Sequence, residues 1–155
     1  MPTPVSHAPS ELCFLSAIDL AGLIRSKMLS ARDLMQACLM QIERLNGRLN
    51  AIVTLVPEDE LMARALAADE AIAHKKSLGP LHGLPIGVKD LLQTKGIRTT
   101  SGSPLFKDFL PDSDCLVVER EKLAGAIVIG KTNVPEFGLG SQTFNKVFGA
   151  TLNPY

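Results

Sequence analysis

The chain has 155 residues, 46% of them hydrophobic and 21% charged, an ordinary composition for one globular domain. Sixteen basic residues balance sixteen acidic ones, and only 5% of residues are aromatic, so a nucleic-acid surface is not expected. No apolar run approaches the ~18 residues of a membrane span, and no signal peptide is recognisable, which predicts a cytoplasmic protein that binds no membrane.

Helical patterns dominate the first half of the chain. Residues 1–14 are expected to form a flexible arm. Ser16 is a predicted N-cap for one helix, and Ser30 for a second, amphipathic helix that Asn46-Gly47 would terminate. A β-branched run at 51–56 predicts a strand, and the Ala-rich run at 58–76 predicts a further helix.

The second half is dominated by glycine, with helices and strands between the loops. Residues 79–103 are rich in Gly and Pro, which indicates tight loops, and the apolar run at 86–88 predicts a short strand. A helix is predicted at 112–123 and a buried strand at 126–129. Helices that alternate with apolar strands predict an α/β fold, with 15–155 belonging to a single domain.

The cysteines and histidines give no indication of a metal site. Cys13, Cys38 and Cys115 are far apart and form no C-x-x-C pair, so they are predicted to be buried, unreactive thiols. His7, His74 and His82 have no partner in the sequence, and surface or capping roles are expected.

Residues 125–132 (GAIVIGKT) match the pattern of a phosphate-binding loop. That loop needs four flexible residues between its glycines and a helix that begins at the lysine. Here the four residues are Ala-Ile-Val-Ile, which favours a strand, and Pro135 follows closely and disfavours a helix. A nucleotide site is therefore rejected.

Lys89 directly follows the predicted strand at 86–88 and has two interpretations. It can be an exposed lysine whose amine reaches water from the sheet edge, which periodicity alone favours. It can instead be a buried lysine with a lowered pKa that acts as a general base or a nucleophile.

Four ordered segments resemble the amidase-signature family. Residues 83–90 (GLPIGVKD), 130–137 (GKTNVPEF) and 148–155 (FGATLNPY) follow its G-[LV]-P-[IV]-x-[VI]-K-D, G-K-T-N-[MV]-x-E-F and F-G-x-T-x-N-P-[YW] patterns. Residues 99–103 (TTSGS) resemble its T-T-x-G-S loop. The resemblance covers 15–155 and implies N-terminal helices with part of the mixed β-sheet core of that α/β fold.

The resemblance implies an amide-hydrolysing Ser–cis-Ser–Lys triad in which Lys89 is the lysine. Lys89, uncharged at rest, would take a proton from the nucleophilic serine through the bridging serine. Asp90 would point to the opposite face as a turn residue or a buried hydrogen-bond acceptor. Gly138, Gly140 and Ser141 resemble the segment that lines the scissile bond, although a plain Gly-rich turn explains them equally well.

The partners that the resemblance implies are few. In the full-length protein the substrate would be a small-molecule amide, and neither a cofactor nor a metal is expected. Nucleic acid and membrane are excluded as partners, and a homodimer is left open.

The family's G-G-S-S-G-G signature and its nucleophilic serine do not occur in the chain. Ser101, Ser103 and Ser141 lack the required glycine context. We therefore expect a fragment that stops before the Ser-rich signature and is inactive alone, because the parts of a triad act as a unit. The alternatives are a non-catalytic interaction module, or part of the glutaminase subunit of a tRNA-dependent amidotransferase.

Overall fold

The computed structural model describes residues 9–74, 76 and 78–155, and these form a mixed α/β structure, as predicted. They divide into two compact units. The first takes in the described residues up to 42 together with 57–86 and 121–127, and the second comprises 43–56, 87–120 and 128–155. The helices and main strands are α1 (Pro9–Leu12), α2 (Ala17–Arg25), α3 (Ala31–Leu49), β1 (Ile52–Leu55), α4 (Glu58–Ala73), β2 (Pro85–Lys89), α5 (Leu116–Leu123) and β3 (Ile127–Thr132).

The first unit is mainly helical. One cluster of its buried core is formed by Leu12, Ile24, Leu34, Ala37 and Leu84. Ser16 caps α2 as predicted, because its hydroxyl accepts the Asp19 N–H at 3.1 Å. Of the arm expected at 1–14, residues 1–8 lie outside the described part. Residues 9–12 form α1, whose Leu12 is packed into the core.

Helix α3 begins where predicted but ends later. Ser30 accepts the Asp33 N–H at 2.9 Å. The predicted end at Asn46-Gly47 is wrong, since the helix continues to Leu49. The Asn46 side-chain oxygen accepts the N–H groups of residues 51 and 52 at 3.0 and 2.8 Å, and Asn50, with φ 54°, takes the left-handed position that ends many helices.

Strand β3 lies between β1 and β2 in a three-stranded sheet. It pairs with β1 in antiparallel fashion, with Ile52 opposite Thr132 and Leu55 opposite Gly130. A Cβ at Gly130 would lie 2.2 Å from the Thr54 carbonyl oxygen, so this close approach of two backbones requires glycine. The strands predicted at 51–56, 86–88 and 126–129 are confirmed, but β3 extends to Thr132.

Two other boundaries differ from the prediction. Helix α4 ends at Ala73 rather than near residue 76. Helix α5 begins at Leu116 rather than at 112, because the residues before it bond to the loop at 93–95. Asp114 accepts the Lys95 N–H at 2.7 Å, and Cys115 donates its N–H to the Gln93 carbonyl at 3.0 Å.

Asn50 ties the start of the second unit to the C-terminal end of the sequence. Its side-chain amide donates to the carbonyls of Phe148 at 2.7 Å and Ala150 at 3.1 Å, and its carbonyl accepts the Thr151 hydroxyl at 2.7 Å. Two short strands, Phe144–Asn145 (β4) and Gly149–Ala150 (β5), form an antiparallel pair in this region. In the described part of the chain, every helix is too short or too polar to cross a membrane.

Candidate active site

Lys89 is the last residue of β2, and its side chain is exposed. The residues on either side are buried: Val88 is 3% exposed and Asp90 is 0% exposed. Because successive residues of a strand face opposite sides, this alternation places Lys89 and Asp90 on opposite faces, as expected. Of the two interpretations of Lys89, the exposed lysine is the one that this chain shows.

Asp90 is a buried hydrogen-bond acceptor that fixes the loop at 99–103. Its carboxylate accepts the Thr100 N–H at 3.1 and 3.2 Å, and also the Thr100 hydroxyl. Its backbone carbonyl accepts the Ser101 N–H at 2.8 Å, and its own N–H donates to Thr132 at 2.9 Å. Asp90 therefore joins β2 to both the neighbouring strand and the next loop.

Lys131, which the sequence patterns did not single out as a site residue, is fully buried at 0% exposure. Its amine donates to the Thr94 hydroxyl at 2.8 Å, to the Thr99 hydroxyl at 3.1 Å and to the Leu92 carbonyl. The available signal was its position: Lys131 lies in the central strand of the sheet, where residues are covered on both sides.

A backbone hydrogen bond connects the 99–103 loop to the Gly-rich segment at 136–140. The Phe137 N–H donates to the Ser101 carbonyl at 2.8 Å. Both residues have left-handed φ values of 53°, which are uncommon for residues other than glycine and are concentrated at functional sites. Gly138 and Gly140 also have positive φ, at 74° and 122°.

Polar side chains also fix this segment. Glu136 accepts the Ser103 hydroxyl at 2.7 Å. Asn133 donates to the Thr151 hydroxyl at 3.0 Å and accepts the Asn145 side-chain amide at 2.7 Å. The loops that flank the end of β2 are thus held by buried polar contacts.

The segment at 135–146 surrounds an open cleft of about 720 Å³. Gly140 and Ser141 line this cleft, as does the Lys146 side chain, whereas Gly138 and Lys89 do not. A Cβ on Gly138 would lie 3.0 Å from Leu91, so this glycine packs against the turn that follows Lys89. The predicted substrate-binding residues therefore separate into two that line a cleft and one that packs against the lysine-bearing turn.

Two histidines and one cysteine have structural surroundings. His82 bonds to the Ala68 carbonyl at 2.9 Å, and His74 to the Glu70 carbonyl at 2.8 Å; His7 lies outside the described residues. Burial, reinforced by the neighbouring Cys13, raises the pKa of the Cys38 thiol to about 12, so this thiol is protonated at neutral pH. Among the described residues, no group of three His, Cys, Asp or Glu is placed to hold a metal.

Solved amidases share this fold. Superposition on fatty acid amide hydrolase gives a TM-score of 0.88 at 26% identity, covering 97% of this chain and 26% of that enzyme. The native peptide amidase from Stenotrophomonas maltophilia gives 0.85 at 31% identity, covering 95% of this chain and 31% of that enzyme. The chain thus has the α/β architecture of amidase-signature proteins.

The chain belongs to the amidase family, whose model, described as Amidase, matches residues 33–155. It is 41% identical over 145 residues to a glutamyl-tRNA(Gln) amidotransferase subunit from Moorella thermoacetica, covering 94% of this chain and 30% of that protein. It is 43% identical over 137 residues to the protein of the same name from Methylococcus capsulatus, covering 88% of this chain and 28% of that protein. The chain spans about 30% of the length of such relatives.

Proposed function

We propose that Lys89 is the general base of an amide-hydrolysing site of the Ser–cis-Ser–Lys type. The observation that carries the proposal is the position of Lys89: it is presented at the end of β2, within a motif of the amidase family, beside loops that buried Asp90 and Lys131 hold in place. The lysine would accept a proton from the nucleophilic serine through the bridging serine and later return a proton to the leaving amine. Gly140 and Ser141 would line the substrate cleft, and Gly138 would support it.

The exposure of Lys89 bears directly on this mechanism. An amine can act as a base near neutral pH only when burial or a neighbouring positive charge disfavours its charged form. The side chain is exposed among these 155 residues. We propose that other regions of the enzyme cover Lys89 and exclude water from its amine. These regions would correspond to the parts of the relatives that this chain does not span.

We propose that none of the serines at positions 101, 103 and 141 completes the triad. The Ser103 residue is fully buried and its hydroxyl donates to Glu136 at 2.7 Å, which is a structural role. Ser101 lies in a strained turn, and Ser141 lies in the cleft wall without the paired serines and glycines of the family signature. We propose that the 155 residues by themselves hydrolyse no amide, because a base without a nucleophile or oxyanion donors cannot perform acyl transfer.

The leading candidate is a free-standing amidase that acts on a small amide. A second candidate is the glutaminase part of an amidotransferase, which the names of the relatives described above favour. The third is a non-catalytic interaction module that retains the amidase scaffold. The three differ in which amide is cleaved and in whether Lys89 is required.

The test uses the protein expressed from its complete reading frame, assayed against aliphatic amides, aryl amides and glutamine. Loss of a general base is expected to lower kcat/KM by about 10²–10⁴-fold in Lys89→Ala. Lys95→Ala is the matched control, because Lys95 is an exposed lysine in the following loop, and it should retain the activity of the parent. Cleavage of glutamine alone would favour the amidotransferase candidate.

Two outcomes would contradict the proposal. Full activity in Lys89→Ala would remove the lysine from the mechanism, and an inactive complete protein would favour the interaction module. For the 155-residue chain on its own, Lys89-dependent hydrolysis of an aliphatic amide would show that the family's Ser-rich signature is not needed.

A further inference from the structure

Two consecutive hydrogen bonds connect Lys131 to the backbone of Lys89. The carbonyl of Lys89 accepts the Leu92 N–H at 3.0 Å, which closes a turn directly after β2. The carbonyl of Leu92 in turn accepts a hydrogen bond from the Lys131 amine. The buried lysine of β3 therefore holds the turn that determines where the exposed lysine of β2 is placed.

The same amine fixes the rest of this loop. The Thr94 and Thr99 hydroxyls each donate to a backbone carbonyl, of Leu92 and Ile97 respectively, at 3.0 Å. Since a hydroxyl has one hydrogen, both oxygens are left to accept from Lys131. The Leu92 carbonyl and the two hydroxyl oxygens thus all accept from the Lys131 amine.

We propose that Lys131 is a positioning residue for Lys89: its buried amine holds residues 92–99 so that the end of β2 presents the catalytic amine in one place. The inference rests on the proposed function of Lys89. Lys131 takes no part in proton transfer itself, since its side chain is fully buried and directed to structural oxygens.

The test compares three variants of the protein expressed from its complete reading frame. Lys131→Met keeps an unbranched apolar stem that is one atom shorter and removes the amine donors. Val128→Ala is the control, because Val128 is 1% exposed in the same strand and, three residues away, faces the opposite side of the sheet. Thr99→Val removes one acceptor while keeping the shape of the side chain, and it replaces Lys131→Met if that variant does not fold.

A positioning role predicts a separation of kinetic effects that general destabilisation does not produce. Lys131→Met should lower kcat by about 10²-fold while KM stays near the parental value, as for a displaced catalytic group. Val128→Ala should lower the melting temperature with little change in kcat. Thr99→Val should lower kcat in the same direction and by less.

Hydrogen exchange provides a measurement that does not depend on activity. In Lys131→Met the amides of residues 92–100 should exchange faster, while Val56, whose N–H bonds to Ile129 at 2.9 Å, should stay protected. Unchanged exchange at 92–100, or a kcat loss matched by Val128→Ala, would overturn the positioning role. If the parent protein had no amidase activity but residues 92–100 still exchanged faster in Lys131→Met, only the proposed function would be contradicted.

Discussion

Replacement of Asp90 by alanine is expected to be among the most destabilising single changes in the second unit. Asp90 is fully buried, and its carboxylate accepts both the N–H and the hydroxyl of Thr100. In Asp90→Ala these two buried donors lose their acceptor. An unsatisfied buried donor costs about 1–3 kcal/mol, so the free energy of unfolding should fall by about 2–5 kcal/mol, a large share of a typical stability.

The measurement is urea-induced unfolding of the parent, Asp90→Ala and a control, Asp108→Ala. The Asp108 side chain is 82% exposed and lies 3.8 Å from Lys107, so its removal should change the free energy of unfolding by less than about 0.5 kcal/mol. Thr100→Val removes the hydroxyl that donates to Asp90 and that also accepts the Gly102 N–H at 3.0 Å. Its combination with Asp90→Ala should cost about 1 kcal/mol less than the sum of the single changes. If Asp90→Ala were no more destabilising than Asp108→Ala, this carboxylate would not hold the loop.

Two further predictions concern a pair of glycines and a thiol. Gly47→Ala should stabilise the protein by about 0.5–1 kcal/mol, because Gly47 lies within α3 with open space around an added Cβ. Gly130→Ala should be strongly destabilising, because the new Cβ would meet the Thr54 carbonyl. Melting temperatures that move in the same direction would contradict this contrast. The pKa of Cys38 is raised to about 12, so in the folded protein at pH 8 only about one Cys38 thiol in 10⁴ is ionised. Cys38 should therefore resist iodoacetamide until the protein is unfolded in urea. Rapid alkylation of Cys38 in the native protein would refute this prediction.

The sequence was informative where local interactions decide the structure. The caps at Ser16 and Ser30 and the three strands of the sheet follow from side-chain patterns within a few residues. The end of α3 does not, because the Asn46-Gly47 signal is overridden by an asparagine side chain that bonds to residues 51 and 52. The start of α5 was missed for a similar reason, because Asp114 and Cys115 bond to the distant loop at 93–95 and the helix begins only after them.

The candidate site also combines features that local sequence predicts with features that depend on distant residues. The motif that contains Lys89 is contiguous, so the resemblance could identify the residue, and the burial of Asp90 follows from strand alternation. The role of Lys131 depends on oxygens that lie 32 to 39 residues away in the sequence. No local pattern indicates which loop such a lysine will hold, and the exposure of Lys89 likewise depends on what else covers the strand.

The contacts of Asn50 have a consequence for how the chain reaches its native state. They join residues that are about 100 positions apart in the sequence, and the second unit is assembled from three separate segments. Contacts of such long sequence separation delay folding, because a long loop must close before they form. On the ribosome the first unit has all its segments once residue 127 has emerged, whereas the second must wait for Thr151. Strand β1 ends at Leu55 and its partner β3 is complete only at Thr132, so for about 77 residues of synthesis β1 is open to incorrect pairing.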